Sequence, residues 1–402
     1  MPDQKCSPLS IFVFSLCALL TAIAIFIRYV FVSKKNAMMD RGVFYSKTLS
    51  LNDTREVIKS WGRDGVWALT NSDIDPPLFV SSDDFAVELT DICLTFPLHP
   101  VYRTGCGTDA SRTVLDYRWQ SRPLHESLSD GSSIPPFPPW DRVKACSLLS
   151  NKFVVVVGDS LSGSFFFTLN SALREDQNKS SNLLASETEP LIRLLCKVCT
   201  DTGENFVKLK FLGFPLPPLE PGISLLPDFF DVMKEADNLG YIPQNIVFVV
   251  NWGHWFLRGE PFVADSIIKR ILWGLKLLRD VAPDSIIFWR TTPGGHPDAH
   301  FDVEFKDDPP LLDPLNRSSY YFDGPRSNPI TEGWWVLEQF QPTLTAAILL
   351  QDPNIFILDV VPATRLRHDS HPKLFDGLHY CVPGPVDFWV RYFLSSLELI
   401  YA

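Results

Sequence analysis

The stretch Phe153-Val-Val-Val-Val-Gly-Asp-Ser-Leu-Ser-Gly-Ser164 decides the fold. Its apolar, mostly β-branched run reads as a strand buried on both faces, and Gly158-Asp159-Ser160 breaks that run where a helix can begin. In an open α/β sheet, the carboxyl end of such a strand faces the crevice in which ligands bind. Amides at the start of the following helix can hold an anion, including the oxyanion of an acyl-transfer intermediate. Ser160 therefore stands where a nucleophile is useful. An unassisted hydroxyl is a poor nucleophile near neutral pH, so the rest of the chain must supply a base.

Outward from this stretch, apolar runs and helical periodicity alternate. Leu161–Arg174 reads as a helix, and Asn245-Ile-Val-Phe-Val-Val250 as a second buried strand with Asn251-Trp-Gly-His-Trp255 at its carboxyl end. Val263, Ile267, Ile271, Leu275 and Leu278 repeat at helical spacing, and Ser285-Ile-Ile-Phe-Trp289 forms a third strand ending in Arg290-Thr-Thr-Pro-Gly-Gly-His296. A helix over Trp334–Leu350 and a strand over Asn354-Ile-Phe-Ile-Leu358 continue the pattern. Such alternation predicts an α/β fold, a parallel sheet flanked by helices on both faces. Residues 174–221 read as a polar loop and a proline-rich stretch.

The last segment contains Arg367-His-Asp-Ser-His-Pro372, then Asp376-Gly-Leu-His379. Asp376 and His379 are three apart in a turn, a spacing that lets a carboxylate orient one imidazole nitrogen while the other faces a serine hydroxyl. His296 with His300, or His368 with His371, offers a metal-binding alternative. Pro297 disfavours helical spacing for the first pair, and serine chemistry needs no metal.

Taken together and in order, these blocks resemble the SGNH/GDSL hydrolases, and more finely the PC-esterase branch with the plant trichome-birefringence-like polysaccharide O-acetyltransferases. The matching pieces are Gly158-Asp-Ser160, the Asn251-Trp-Gly-His-Trp255 block, Arg290-Thr with a His-Pro pair, Arg367-x-Asp-x-His-Pro372, and Asp376-Gly-Leu-His-Tyr-Cys-Val-Pro-Gly-Pro-Val-Asp-Phe-Trp389. They cover roughly Cys93 to the end of the chain. The resemblance implies an SGNH-like catalytic domain over residues 91–402, its core starting near residue 150. It implies Ser160 as nucleophile, His379 as base and Asp376 as the group that orients it. The Ser160 amide is then the first oxyanion donor, and Asn251, ending the neighbouring strand, a candidate second. Asp159, Gly253, His254 and Arg290 are candidate substrate-binding residues, while Arg367, Asp369 and His371 read as ion-paired loop anchors.

The chain departs from the plant pattern in two places. Gly163-Ser164 stands where those proteins commonly carry Arg-Asn, and Gly377 stands where they usually carry cysteine. The implied reaction is transfer of an acetyl group to a glycan or polysaccharide hydroxyl through an acyl-serine, with no bound cofactor and with acetyl-CoA or another acetyl ester as donor. Hydrolysis of such esters by the same residues, and glycan binding without catalysis, are the alternatives.

The chain ahead of this domain carries its own signals. Leu9–Ile27 is uncharged and long enough to span a bilayer. Residues 1–8, 9–32 and 33–90 thus read as a short cytosolic tail, a transmembrane signal anchor and a stem. Arg28, Lys34, Lys35 and Arg41 follow the span, so the positive-inside rule opposes a lumenal catalytic domain. The resemblance, the glycosylation triplets at Asn52, Asn178 and Asn316, and the even set Cys93, Cys106, Cys146, Cys196, Cys199 and Cys381 favour one, in a Golgi or other secretory-pathway membrane. In that setting a separate membrane protein supplies the acetyl donor. Cys196-Lys-Val-Cys199 can also be read as a redox or zinc pair, but no second pair at finger spacing accompanies it.

Residues 91–141, rich in cysteine, proline and aromatics, read as an irregular lobe cross-linked through Cys93 and Cys106. With 402 residues, 46% of them hydrophobic, the chain can bury a sizeable core. A net charge of -11 without a Lys/Arg run excludes nucleic acid as the main partner.

Overall fold

The strand read at Phe153 lies at the heart of a computed structural model of the chain. The structure describes residues 49–69, 117–121, 127–173, 193–199, 207–213, 225–253, 264–296, 329–371, 377–380 and 384–401. In chain order the main elements are α1 (Leu51–Arg63), β1 (Gly65–Leu69), β2 (Tyr117–Ser121), α2 (Arg142–Leu149), β3 (Phe153–Gly158) and α3 (Ser160–Ala172). There follow β4 (Arg193–Val198), β5 (Val207–Gly213), α4 (Leu225–Asn238), β6 (Ile246–Asn251), α5 (Ala264–Val281), β7 (Ile286–Arg290), α6 (Pro329–Gln351), β8 (Ile355–Leu358), the short turn α7 (Val361–Thr364) and α8 (Pro385–Tyr401).

Among the described residues, six strands form one sheet in the order β4-β5-β3-β6-β7-β8. All neighbours are parallel except β4, which runs antiparallel to β5 along the edge. The order runs outward in both directions from β3, and this places a switch point at its carboxyl end, the site of ligand crevices in such sheets. The α/β architecture expected from the sequence is therefore present, with a mixed rather than wholly parallel sheet.

Strand alternation divides the interior into two layers. Val154, Val156, Val247, Val249, Phe288 and Leu358 point to one face, where they pack with α1, α3 and α8. Phe153, Val155, Val157, Phe248, Val250 and Trp289 point to the other, against α4, α5 and α6. Each of the four β3 valines is at most 1% exposed. Full burial of one such side chain stabilises the fold by about 1.5–3 kcal/mol, which is why the run contains no polar residue.

Several expectations need correction. The stem expected over residues 33–90 gives way to ordered structure at α1 and β1. Ser50 caps α1 by accepting from the Asp53 amide at 3.1 Å, and Val57, Ile58 and Trp61 are buried in the first layer. β1 then pairs antiparallel with β2, with Trp67 opposite Trp119. Within the expected irregular lobe, Tyr117–Ser121 is thus a strand, while residues 134–141 are free of regular structure as anticipated. The polar loop expected after α3 contains β4 and β5, and α4 follows the proline-rich stretch.

Trp61, Trp67 and Trp119 are buried and donate their indole N–H groups to the carbonyls of Pro135, Ala363 and Trp61 at 2.8–2.9 Å. They are core pieces and offer no face to a sugar ring.

Cys199, in the left-handed region with φ 58°, closes a disulfide to Cys146 of α2. Cys199 therefore does not pair with Cys196 in a redox or zinc motif. Cys93, Cys106 and Cys381 lie outside the described residues, as do the tail and span at residues 1–32. Among the described residues no helix is long and apolar enough to cross a membrane. Asn52 is exposed in the first turn of α1, whereas Asn178 and Asn316 lie outside the described residues.

Candidate active site

The turn from β3 into α3 is set by close packing. Gly158 has φ +149°, and a Cβ there would lie 2.2 Å from the Asn251 carbonyl oxygen and 2.4 Å from Ser162 Oγ. Only glycine fits. Asp159 follows as N-cap of α3, its Oδ1 accepting from the Leu161 amide at 3.1 Å, a contact that contributes about 1 kcal/mol. Ser160 is thereby the first residue of the helix, where its own amide has no intrahelical acceptor and its side chain stands beside the positive end of the helix dipole.

His379 reaches this point from the far end of the chain. Its Nε2 lies 2.8 Å from Ser160 Oγ, in position to accept the hydroxyl proton. The short segment 377–380 has no helix or strand to hold it and is tied to the residues that follow β7. The His296 amide donates to the Gly377 carbonyl at 2.7 Å, and the Tyr380 hydroxyl donates to the Gly294 carbonyl at 2.9 Å. His379 is 7% exposed, so its ring is largely shielded from competing water. Asp376, the expected orienting carboxylate, lies outside the described residues, and so does His254.

The other sequence-read residues sit behind Ser160. Arg290, 1% exposed, ends β7, donates to Ser162 Oγ at 3.1 Å and stacks over Trp389 at 4.6 Å. Burial lowers its pKa to about 10 despite the nearby Asp159 carboxylate. Burial in turn raises the Asp159 pKa, opposed by the Arg290 charge and by amides of α3. Asp159 and Arg290 thus build the buried floor of the turn that carries Ser160. Gly253 belongs to the same floor: a Cβ there would lie 2.3 Å from Thr292 Oγ1. Gly163 and Ser164, where the plant pattern is not kept, are both buried within α3. The cation beneath this turn is Arg290, from a different strand.

Asn251 ends β6, paired in register with Gly158. Its Nδ2 donates to the Arg290 carbonyl at 2.8 Å and to Thr292 Oγ1 at 2.7 Å, which uses both amide hydrogens. It thereby joins the ends of β6 and β7 beside the turn that carries Ser160.

Arg367 and Asp369 form a buried pair as anticipated, with Nε–Oδ1 at 2.9 Å and Nη2–Oδ2 at 3.1 Å, and Arg367 stacks over Trp67 at 4.4 Å. His296 meets His371 with 2.6 Å between Nδ1 and Nε2, a contact that sequence reading missed. The two are 75 residues apart, so no local spacing announces it. A cavity of about 470 Å³ lies apart from Ser160 and His379, along β8 between Arg55, Phe356 and Arg365.

No protein-family profile matches the chain. The resemblance to the trichome-birefringence-like proteins is borne out by a curated relative, protein trichome birefringence-like 40 of Arabidopsis thaliana. It is 22% identical over 293 residues, covering 65% of this chain and 73% of its own length. Among solved structures, the periplasmic domain of a Salmonella ser. Paratyphi A lipopolysaccharide acetyltransferase is 15% identical, with 61% of this chain and 84% of that one covered and a TM-score of 0.32. A peptidoglycan O-acetylesterase is 12% identical, with 65% and 96% covered and a TM-score of 0.32.

Proposed function

We propose that this chain is a serine O-acetyltransferase of the SGNH type, acting on a hydroxyl of a glycan or polysaccharide. The observation that carries the reading is the 2.8 Å contact between His379 Nε2 and Ser160 Oγ at the start of α3. Ser160 Oγ attacks the acyl carbonyl of the donor while its proton passes to His379 Nε2. The oxyanion that forms is met by the Ser160 amide at the helix N-terminus. Collapse breaks the bond to the donor's leaving oxygen or sulfur, which takes the proton from His379, and leaves an acyl-serine. An acceptor hydroxyl, deprotonated by His379, then attacks that ester and regenerates Ser160. Asp376 orients the His379 ring in this scheme.

The donor is acetyl-CoA or another acetyl ester, and no cofactor enters the cycle. The Cys146–Cys199 disulfide supports folding in an oxidising compartment, in keeping with a secretory-pathway protein anchored through residues 9–32. Hydrolysis by the same residues results wherever water reaches the acyl-serine before a sugar does.

The test is incubation of the purified chain with an activated acetyl ester, with and without oligosaccharide acceptors. Acetylated sugar marks the transferase, and acetate formed at the same rate with or without acceptor marks the esterase. Unchanged turnover in Ser160→Ala, or no turnover by the native chain, removes both readings and leaves a glycan-binding role.

A further inference from the structure

The His296–His371 contact belongs to a longer chain of hydrogen bonds that ends at the base. His296 Nε2 lies 2.9 Å from the Arg365 carbonyl oxygen, and His296 Nδ1 lies 2.6 Å from His371 Nε2. His371 Nδ1 lies 2.6 Å from the carbonyl oxygen of His379. A carbonyl oxygen can only accept, so both outer nitrogens must carry protons. Two neutral imidazoles hold one N–H each, and the two carbonyls consume both. The inner nitrogens would then face each other as bare lone pairs. A third proton between them turns that clash into a bond and gives the pair a single positive charge.

We propose that His296 and His371 are a proton-sharing, singly charged pair, and that the His371 Nδ1–H, bonded to the His379 carbonyl, positions the catalytic ring against Ser160. The inference rests on the Ser160–His379 reading of the site.

Three features support it. Charge-assisted bonds are shorter than neutral ones, and both contacts of His371 are shorter than the bond of His296 to Arg365. Second, His296 and His371 are only 5% and 0% exposed, so water does not take over either partner. Third, the Tyr380 ring lies against His371 with centroids 4.6 Å apart and against His296 at 6.1 Å. The pair is thus sandwiched against the residue next to the base.

Among the described residues, the arginines on the surrounding elements have acidic neighbours of their own. Arg365 binds Glu338 at 3.1 Å, and Arg367 binds Asp369. Arg290 lies beside Asp159 and acts on Tyr380, and His368 occupies the same short turn as Asp369. Because the His379 ring must lie within hydrogen-bond reach of Ser160, a displacement of about 1 Å in its backbone costs on the order of 100-fold in rate. His296 and His371 are positioning residues in this scheme and touch no substrate.

The experiment is proton NMR of the purified full-length chain labelled with ¹⁵N-histidine, together with steady-state kinetics on an activated acetyl ester. A far-downfield N–H–N resonance is expected in the native chain and in Ser160→Ala, and it should vanish in His371→Phe and His296→Gln. His371→Phe keeps a ring against Tyr380 but has no N–H; its kcat should fall about 10- to 100-fold with KM little changed. His296→Gln can still donate to His371 Nε2 from its amide and should lose less than His371→Phe.

Nitrogen shifts showing two neutral rings in the native chain overturn the shared proton, whether or not His371→Phe folds. Native kcat in a folded His371→Phe overturns the positioning role. Full activity in Ser160→Ala sinks the nucleophile reading instead, and the wild-type resonance still reports on the pair.

Discussion

Replacing Gly158 by alanine tests how tightly the β3–α3 turn is built. The added Cβ lies 2.2 Å from the Asn251 carbonyl oxygen, so about 0.8 Å of movement is needed to reach even the 3.0 Å limit of real Cβ contacts. Asn251 is paired in register with Gly158, and its side chain ties β6 to β7, so the neighbour cannot retreat without disturbing two strands. The φ of +149° adds backbone strain of about 1–3 kcal/mol, and overpacking adds a similar amount, for a total loss of about 2–6 kcal/mol.

The next residues along the turn are Asp159 and Ser160, so the same movement breaks the 2.8 Å contact to His379 and lowers turnover on the order of 100-fold. Gly131→Ala is the control: its φ is +80°, yet a Cβ there meets nothing within 4 Å. It should cost about 1 kcal/mol of strain and leave turnover unchanged. Urea unfolding and acetate release from an activated ester measure both quantities. If Gly158→Ala matches the Gly131→Ala control in stability and rate, the close approach of β3 to β6 does not shape the site.

Other consequences follow from the same interior. Loss of the disulfide in Cys146→Ala opens a loop of 53 residues and should lower stability by about 4 kcal/mol, read as a fall in the urea midpoint relative to the oxidised native chain. Arg290→Met removes a buried cation beside Asp159 and should destabilise by about 3–5 kcal/mol; a circular-dichroism melt within 1 °C of native would refute this role. Burial raises the Asp159 pKa above 3.8, so its contribution to stability is fully present below 3.8 and is lost as pH rises through the elevated native value. Unfolding free energies of the native chain and of Asp159→Asn should therefore diverge on acidification through that window, in favour of the native chain, and parallel curves would show that Asp159 does not titrate there.

Four strands were readable because β3, β6, β7 and β8 are buried on both faces and so must be continuously apolar. β5 escaped notice because Lys208 and Lys210 alternate with its apolar residues, a pattern that reads equally well as a solvated loop. α1 escaped because a helix lying on the rim of a core needs few apolar side chains, and Val57, Ile58 and Trp61 suffice. In the site, Ser160 and His379 were legible because their chemistry demands particular residue types at the ends of particular elements. Asn251 is legible only in part, for the complementary reason. Its position at a strand end is visible in sequence, but the direction of its amide depends on Thr292 and Arg290, contacts that exist only in three dimensions. The His296–His371 pair lies wholly in that second category.

Ser160 and His379 are 219 residues apart along the chain. At ribosomal rates of about 5–20 residues per second, His379 is made roughly 10–40 s after Ser160. On the proposed reading Ser160 lacks His379 as its proton acceptor throughout that interval, and the growing chain can neither acylate itself nor consume donor. On that reading catalytic competence arrives late in synthesis, once the segment at 377–380 has docked on the residues that follow β7. A nascent chain stalled before that point should be chemically silent, and the first appearance of acyl-serine would serve as a clock for completion of the fold.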